Sequence, residues 1–452
     1  MTVKRVVIAG SGSGVGKTTI STGIMSLLSR HHKVQGFKVG PDFIDPMFHT
    51  VATGRPSRNL DSFFMDGPTL KNLFGWATRD ADIAVIEGVR GLYDGLTATG
   101  DIGSTAEIAK MLDASVVLVL NARSLAKSAA AHVLGFKMLD KEIRIEGVIL
   151  NQVSGARHRE KAVKAVEELT GTPVIGVIER QRERLPERHL GLITAEENDD
   201  IPGTLRQVES LVGDVDLDSL IGMAEKHGDI ELPSDSPYEQ EERNVVKVAV
   251  PRDRAFSFYY QENLESLVAA GAELRFFKPV EGERLPDADA YYLGGGYPEV
   301  YAKELERNQD FRDGIKNAGD AGKLVYGECG GLMAMCRSID DGEEERPMCG
   351  IFDLKAELTR ERQGLAYVRT RTTPDNFLFP DLDIRGHEFH YSRLVPTPNG
   401  PFGYDVLRGT GIDGKHDGII KGRCIGTYMH QHALANKQWG PAVVREAARS
   451  TT

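Results

Sequence analysis

Residues 10–19 read GSGSGVGKTT and indicate the fold of the first half of the chain. It follows the β-branched run RVVIAG and precedes KTTISTGIMSLLSR, in which Ile20, Ile24, Leu27 and Leu28 recur on one helical face. A glycine-rich turn between a strand and a helix is typical of a phosphate-binding P-loop, because glycines let backbone N–H groups point at phosphate oxygens. The stretch therefore predicts a nucleotide site after the first strand of an α/β sheet.

The residues of this loop have separate predicted roles. We expect Lys17 to reach the terminal phosphates of ATP and the Thr18 hydroxyl to bind Mg²⁺. The other predicted nucleotide contacts in the loop are Ser13, Gly14, Gly16 and Thr19. The usual pattern, G-x-x-x-x-G-K-[ST], has glycine where this chain has Ser11. The alternative is a glycine-rich turn that binds nothing, and the strand and helix on either side argue against it.

Two series of buried-strand candidates indicate two α/β domains. The first continues with VQGFKVG, DIAVIEG, SVVLVLN, IEGVILNQV and TPVIGVIE, whose near-continuous apolar character favours a mostly parallel sheet. The polar, acidic stretch EKHGDIELPSDSPYEQEERN interrupts the pattern and is typical of a linker. The second series is VVKVAVPRD, ELRFFKP, ADAYYLGGG and KLVYGECGG. We predict a first domain over 1–225, a linker over 226–244 and a second domain over 245–440.

Four carboxylates follow strand ends in the first domain. FKVGPDFIDPMFH contains Asp42 and Asp45, and ADIAVIEGVRGLYDG contains Glu87 and Asp94. Ligands of open α/β sheets bind beyond the carboxyl ends of the strands, so we expect these side chains to converge near the P-loop. We assign Asp42 and Glu87, with Thr18, to Mg²⁺, and Asp45 and Asp94 to catalysis of phosphoryl transfer. The alternative is that Asp42 and Asp45 cap helices or turns.

Asn151, in GVILNQV, follows another predicted strand. Its amide offers a donor and an acceptor to a base lying at the sheet edge, so we expect it to read adenine. The alternative is a turn asparagine.

The second domain contains a candidate covalent-catalysis site. Cys329 lies in KLVYGECGGL, whose G-x-C-x-G frame is typical of a nucleophile elbow, and the following helix N-terminus would favour a thiolate. His430, in GTYMHQH, is the candidate base. Backbone N–H groups at Gly295, Gly296 and Tyr297, in YYLGGGYPE, are the candidate oxyanion hole. The alternative for a lone cysteine is a small buried hydrophobe.

Composition narrows the class of protein. The 452-residue chain carries 55 basic and 66 acidic residues, a net charge of −11, which argues against a nucleic-acid partner. No stretch of 18 apolar residues and no signal-peptide core is present, so we expect no membrane span. The four cysteines are too widely spaced for a disulfide framework or zinc ribbon, which favours a reducing cytoplasm. Among them we expect Cys336 to lie on the helix after the elbow and to be core.

The motifs together resemble the cobyrinic acid a,c-diamide synthase family, including the methanogen relatives that amidate Ni-sirohydrochlorin. In the family's order, the chain carries SGVGKTT, FKVGPDFIDP, GRPSRNLDSF, VIEGVRGLYDG, LPERHLGL, GGGYPE, GECGGLM, RGHEFHYS and GTYMHQH. The resemblance implies an α/β fold made of a P-loop, dethiobiotin synthetase-like domain and a class I-type glutamine amidotransferase domain. It also implies ATP-dependent activation of the a and c carboxylates of an anionic tetrapyrrole, followed by attack of ammonia from glutamine.

The resemblance carries over residue by residue. It makes Cys329 the nucleophile and His430 its base, and it matches the four acids above to the family's acidic synthetase residues. Many class I glutaminases have a glutamate two residues after the histidine, whereas this chain has His432, so the third member of the site is open. A homodimer also stays open. The alternative functions are a related amidotransferase such as cobyric acid synthase, and a P-loop regulatory ATPase with an inactive glutaminase remnant. Nothing in the sequence names the metal of the ring.

Overall fold

The computed structural model divides the chain into two compact units, Met1–Pro237 and Tyr238–Thr452. The residues that the structure describes are 3–180, 187–188, 191–192, 194–226, 231–233, 235–240 and 245–449. The predicted linker over 226–244 and the LPERHLGL motif lie partly outside them. The domain limits given above stay predictions.

The first unit is built on a seven-stranded sheet whose neighbouring strands are all parallel, in the order β3-β2-β4-β1-β5-β6-β7. Its strands are β1 (Lys4–Gly10), β2 (Val34–Val39), β3 (Arg58–Leu60), β4 (Ile83–Glu87), β5 (Ser115–Asn121), β6 (Ile145–Val153) and β7 (Val174–Glu179), and a short pair β8 (Glu187–Arg188) and β9 (Gly191–Leu192) follows. Its helices are α1 (Lys17–Leu28), α2 (Ile44–Thr53), α3 (Gly67–Thr78), α4 (Thr105–Met111), α5 (Lys127–Leu139), α6 (Gly155–Thr170), α7 (Ile201–Leu211) and α8 (Leu217–Ala224).

The predicted parallel sheet is confirmed, and its strand order positions the first site. All six apolar runs are strands, while the three-residue strand β3 is too short and polar for its pattern to reveal it. Ile20, Ile24 and Leu28 are buried in the core, as their spacing on α1 predicts. β2, β4 and β1 are neighbours, with Lys38 in register with Glu87, so the segments after these strands meet at one edge.

The second unit contains a ten-stranded sheet in the order β11-β10-β12-β13-β22-β21-β20-β17-β18-β23 and a four-stranded sheet in the order β15-β14-β16-β19. Its strands are β10 (Val246–Pro251), β11 (Ala272–Phe277), β12 (Ala290–Leu293), β13 (Leu324–Glu328), β14 (Cys336–Asp340), β15 (Glu345–Pro347), β16 (Phe352–Leu358), β17 (Gly364–Thr372), β18 (Asp383–His390), β19 (Ser392–Val395), β20 (Phe402–Arg408), β21 (His416–Lys421), β22 (Cys424–Thr427) and β23 (His430–Gln431). Its helices are α9 (Gln261–Ala269), α10 (Ala302–Arg307), α11 (Gln309–Asp320), α12 (Gly330–Met335) and α13 (Trp439–Arg449).

The four predicted strands of this unit, β10 to β13, are confirmed and form the parallel part of the larger sheet with β22. The remaining strands of that sheet pair antiparallel and were not predicted. One local prediction was wrong: α12 ends at Met335, so Cys336 begins β14 instead of lying on the helix, although it is buried as expected.

Of the helices described, none has the length and apolarity needed to cross a bilayer.

Candidate active sites

The P-loop has the backbone conformation that its glycines permit. Gly14 and Gly16 adopt positive φ values of 71° and 94°. A Cβ at Gly16 would also lie 2.5 Å from the side-chain nitrogen of Asn151, so this position requires glycine twice over. Ser11 has no positive φ, and its N–H donates to the Val119 carbonyl at 2.9 Å. The departure from the usual pattern is therefore accommodated, because this position does not need glycine's conformational freedom.

Lys17 folds back over its own loop. Its ammonium donates to the carbonyl of Gly12 at 3.0 Å and to the carbonyl of Arg90. Burial, together with the nearby Lys38 ammonium, lowers the pKa of Lys17 to about 8. A phosphate anion would offer this group the full negative charge that backbone carbonyls lack.

A buried cluster joins the P-loop to the ends of β2 and β4. The Thr18 hydroxyl donates to Glu87 Oε1 at 2.8 Å and lies 3.2 Å from Asp45 Oδ2. The Lys38 ammonium bridges the same two carboxylates, at 2.5 Å from Asp45 and 2.8 Å from Glu87. His49 Nε2 is 2.7 Å from the second oxygen of Glu87. The cluster thus places one lysine between two acids beside the hydroxyl predicted to bind Mg²⁺.

The two acids of this cluster differ in their proton affinity. Burial, with the neighbouring carboxylates of Asp42 and Glu87, raises the pKa of Asp45 to about 8. Burial also opposes ionisation of Glu87, but Lys38 and His49 outweigh it and hold the pKa of Glu87 below its usual range. The same carboxylates raise the pKa of Lys38 although burial disfavours its charge. Glu87 and Lys38 therefore form the ionised pair, and Asp45 keeps a proton more readily.

The other two predicted acids lie in turns next to the cluster. Asp42 Oδ1 accepts the N–H groups of Ile44 and Asp45 at the start of α2, which is the capping arrangement considered as the alternative. Asp94 Oδ2 accepts the Gly91 N–H at 3.0 Å. The structure brings Asp45 to Thr18, where the sequence assigned Asp42 to the metal with Thr18. The metal role of Asp42 stays a prediction.

The donors around Thr18 fit Mg²⁺. This ion takes one or two carboxylates together with water and substrate phosphates, so a hydroxyl beside Glu87 and Asp45 is a suitable protein contribution. In the part of the chain that the structure describes, no three His, Cys, Asp or Glu side chains form a closed metal cage. The set therefore matches an ion held jointly with nucleotide.

Asn151 is tied to the P-loop. Its Nδ2 donates to the Val15 carbonyl at 2.8 Å, and its Oδ1 accepts the Gln152 N–H at 2.8 Å. These bonds use one amide hydrogen and one oxygen lone pair, so one of each remains for a base. The structure adds a positioning contact that the sequence did not indicate, and the adenine role stays a prediction.

Two further residues of the first site were missed by sequence reasoning. His49 belongs to the quoted run FKVGPDFIDPMFH, but only the fold reveals that it contacts Glu87. Asn59, in GRPSRNLDSF, donates to the carbonyls of Gly40 and Asp42, both at 2.8 Å, and so holds the turn that carries the acids. No pattern in the sequence signalled either residue, because β3 is too short and polar to be predicted and the contact of His49 depends on the fold.

In the second unit, Cys329 occupies a strained elbow. Its backbone has φ 50° and ψ −102°, and its N–H donates to the Thr427 carbonyl at 2.7 Å. Burial, with the charge of Glu299 nearby, raises the pKa of the thiol to about 12. The prediction of a thiolate was therefore wrong, and the structure favours the neutral thiol. The helix α12 has only six residues, and burial outweighs the Gly330 N–H that favours the anion.

The elbow, the GGG loop and His430 meet at one place. A Cβ at Gly295 would lie 2.5 Å from His430 Cε1 and 3.3 Å from its Nε2. A Cβ at Gly330 would lie 3.1 Å from the amide nitrogen of Gly296. The Gly295 N–H donates to the Phe258 carbonyl at 3.3 Å, so this amide faces away from an oxyanion and its assignment is corrected. The amide of Gly296, beside the elbow, is better placed than that of Gly295, and the role of the Tyr297 amide stays a prediction.

The surroundings of His430 are buried and rich in histidine. His387, in register with His430 across β18 and β23, stacks on its ring at 4.9 Å and 17°, and burial lowers the pKa of His387 well below its usual value. His432 Nε2 lies 3.5 Å from Glu262. Glu328 Oε2 lies 3.7 Å from His430 Nδ1, which is within ion-pair distance. Sequence reasoning assigned no role to Glu328 or His387.

Comparisons with known proteins agree with this arrangement. Residues 6–193 match the CobQ/CobB/MinD/ParA nucleotide binding domain, and residues 247–438 match the CobB/CobQ-like glutamine amidotransferase domain. The chain is 48% identical to a cobyrinate a,c-diamide synthase of Methanothermobacter thermautotrophicus, over 98% of this chain and 99% of that protein. It is 45% identical to proteins of the same name from Methanosphaera stadtmanae, over 97% and 98%, and Archaeoglobus fulgidus, over 99% and 98%.

Proposed function

Because the chain belongs to the cobyrinate a,c-diamide synthase family, we propose that it amidates the a and c acetate carboxylates of a tetrapyrrole with ATP and glutamine. The observation that carries the proposal is the presence, in one chain, of a P-loop with a buried acid–lysine cluster and a cysteine elbow with a histidine. The first arrangement suits carboxylate activation, and the second suits release of ammonia from glutamine.

The first unit activates the acceptor. A carboxylate resists attack by ammonia because its leaving group would be oxide, so transfer of the γ-phosphoryl group of ATP creates an acyl phosphate with a good leaving group. Lys17 neutralises negative charge that develops on the transferred phosphoryl group, and the P-loop N–H groups hold the neighbouring phosphates. Thr18 and Glu87 would hold Mg²⁺, which supplies further charge neutralisation when bound. We assign Asp45 and Asp94 to catalysis of phosphoryl transfer to the acceptor carboxylate.

The second unit supplies the nitrogen. The Cys329 sulfur attacks the side-chain carbonyl carbon of glutamine while its proton passes to His430, and backbone N–H groups at the Gly296 loop stabilise the oxyanion. The C–N bond then breaks, and the proton on His430 goes to the leaving ammonia. Water, deprotonated by the same imidazole, hydrolyses the thioester to glutamate. Ammonia attacks the acyl phosphate, giving the amide and inorganic phosphate.

The identity of the ring is the finer part of the proposal. The relatives bear the name of a cobyrinate-using enzyme, which favours cobyrinate as an acceptor. Ni-sirohydrochlorin presents similar a and c acetates, and one enzyme of this kind could serve both cobalamin and coenzyme F430 synthesis. We propose that the chain accepts such anionic tetrapyrroles in the cytoplasm, which agrees with the free state of all four cysteines. A homodimer stays a prediction for sedimentation analysis.

A competition assay tests this proposal. Purified protein is supplied with glutamine, MgATP and equal amounts of cobyrinate and Ni-sirohydrochlorin, and the products are resolved by mass. We expect diamides that gain two glutamine-derived nitrogens, identified with glutamine labelled with ¹⁵N in its side-chain amide. Failure of both acceptors to gain nitrogen, with glutamine hydrolysis intact, would contradict the proposed acceptor class.

A further inference from the structure

We propose that Glu328, the residue directly before the reactive thiol, is the positioning acid of the glutaminase site and acts through His430. The inference deepens the proposed function and rests on it. Glu328 would be the third member of the glutaminase site, which the sequence left open because His432 occupies the position two residues after His430.

The burial of Glu328 is the first observation. Glu328 is the last residue of β13, and it is 1% exposed. Tyr326 Oη and the Gln431 N–H donate to Oε1 at 3.0 and 3.2 Å, and Tyr292 Oη donates to Oε2 at 3.1 Å. These three donors are neutral, and a buried carboxylate loses hydration worth several kcal/mol that neutral donors only partly restore. A carboxylate at this position therefore points to an electrostatic role that a neutral amide would not fulfil.

The orientation of His430 is the second observation. Glu328 Oε2 lies 3.7 Å from Nδ1, whereas Cε1 and Nε2 face Gly295 in the GGG loop. The ring thus presents one nitrogen to the buried acid and the other to the loop beside the thiol. Stacking of His387 on the ring fixes its plane. This is the orientation in which an acid stabilises the imidazolium that forms when His430 takes the thiol proton, and that proton later leaves with ammonia.

The position of His432 argues against the alternative that His432 itself is the third member of the glutaminase site. Its Nε2 lies 3.5 Å from Glu262 on α9, and its ring packs on Tyr260 at 4.7 Å. Glu262 and His432 therefore form a second buried Glu–His pair, which lies next to α9 and is distinct from the pair of Glu328 and His430. It also supplies a matched control, because Glu262 is 0% exposed and pairs with a histidine at a similar distance.

The test compares Glu328→Gln with Glu262→Gln in the full-length protein, with steady-state glutamine hydrolysis as the readout. We expect Glu328→Gln to lower kcat on the order of 100-fold or more while the glutamine KM changes by less than about threefold, as for loss of an orienting acid. Glu262→Gln should stay within about threefold of the parent enzyme in kcat. Ammonium chloride should support amidation in both variants. Equal losses in the two variants, or loss of ammonia-driven turnover in Glu328→Gln, would overturn the proposal.

Two further variants separate positioning from folding. Glu328→Asp keeps the charge with one methylene fewer and should retain more activity than Glu328→Gln. In a His430→Ala background, Glu328→Gln should cause no further loss in the rate at which a diazoketone analogue of glutamine alkylates Cys329, because the acid acts only through the missing ring. An aspartate variant worse than the glutamine variant, or multiplicative losses in the double variant, would refute the role. If parent enzyme with Cys329 intact hydrolyses no glutamine, the proposed function fails instead.

Discussion

The two acids that share Lys38 should respond in opposite ways when each is made neutral. Glu87→Gln removes the charge that lies 2.8 Å from the ammonium of Lys38, an attraction of about 6 kcal/mol at an effective dielectric constant of about 20. Since Asp45 still contacts the lysine and glutamine keeps the shape, we expect a net loss of about 3–5 kcal/mol in the free energy of unfolding. That loss would lower the melting temperature of this unit by roughly 10 °C.

Asp45→Asn should be at least as stable as its parent at pH 6, because the raised pKa of Asp45 leaves the native carboxyl largely protonated and asparagine matches its shape. The sign of the pH dependence follows from the same shift. The folded protein keeps a proton that the unfolded chain releases near pH 4, so the parent protein loses stability as pH rises towards 8. The loss is at most about 1.4 kcal/mol per pH unit for one proton, and Asp45→Asn does not undergo it. The stability of the variant relative to its parent should therefore increase between pH 6 and 8.

The assay is urea unfolding of nucleotide- and metal-free protein at pH 6 and pH 8. The chain has two tryptophans, and Trp76 lies in α3 of the first unit, so a Trp439→Phe parent makes its fluorescence specific to that unit. A loss of about 3 kcal/mol or more in Asp45→Asn at both pH values, matching that of Glu87→Gln, would contradict a protonated Asp45. It would mean that both acids are ionised partners of Lys38.

Lys17→Ala should abolish amidation with either nitrogen source, because phosphoryl transfer precedes use of ammonia; normal turnover on ammonium chloride would contradict this. Asn151→Ala should relax the preference for ATP over GTP in initial-rate measurements, whereas an unchanged preference would leave only its contact with the P-loop. Gly295→Ala would place a Cβ 2.5 Å from His430 Cε1, so glutamine-dependent turnover should fall on the order of 100-fold while ammonia-dependent turnover persists. The matched control is Gly400→Ala, whose added Cβ meets nothing closer than 3.8 Å, and equal losses would discount the clash.

The short parallel strands β3 and β22 escaped prediction, but runs such as β1, β4 and β5 were predictable because their apolar residues are buried on both faces. The antiparallel strands were not, because a strand such as DIRGHEFH at 383–390 buries Glu388 and two histidines, which read as surface residues in a sequence. Local periodicity carries no information about the long-range partners that satisfy such groups.

The residues of the candidate sites likewise fall into those that local sequence motifs predicted and those that only the fold revealed. Lys17, Thr18, Cys329 and His430 belong to short patterns whose chemistry is local, so the sequence was sufficient to propose them. The bridge from Lys38 to Glu87 depends on the neighbouring positions of β2 and β4, and the contact of Glu328 with His430 joins residues 102 positions apart. Burial also reversed one expectation, since the helix N-terminus at Cys329 predicted a thiolate and the enclosed thiol has a raised pKa.

Amidation by Cys329→Ala with each nitrogen source tests whether activation of the carboxylate and release of ammonia are separate chemistries. We expect that glutamine no longer supports amide formation, because no thioester can form, while concentrated ammonium chloride supports it at a rate close to that of the parent enzyme. Loss of ammonia-driven amidation in the folded variant would contradict the assignment of activation and nitrogen release to two separate chemistries. Persistence of the glutamine-driven reaction would contradict the role of the thiol.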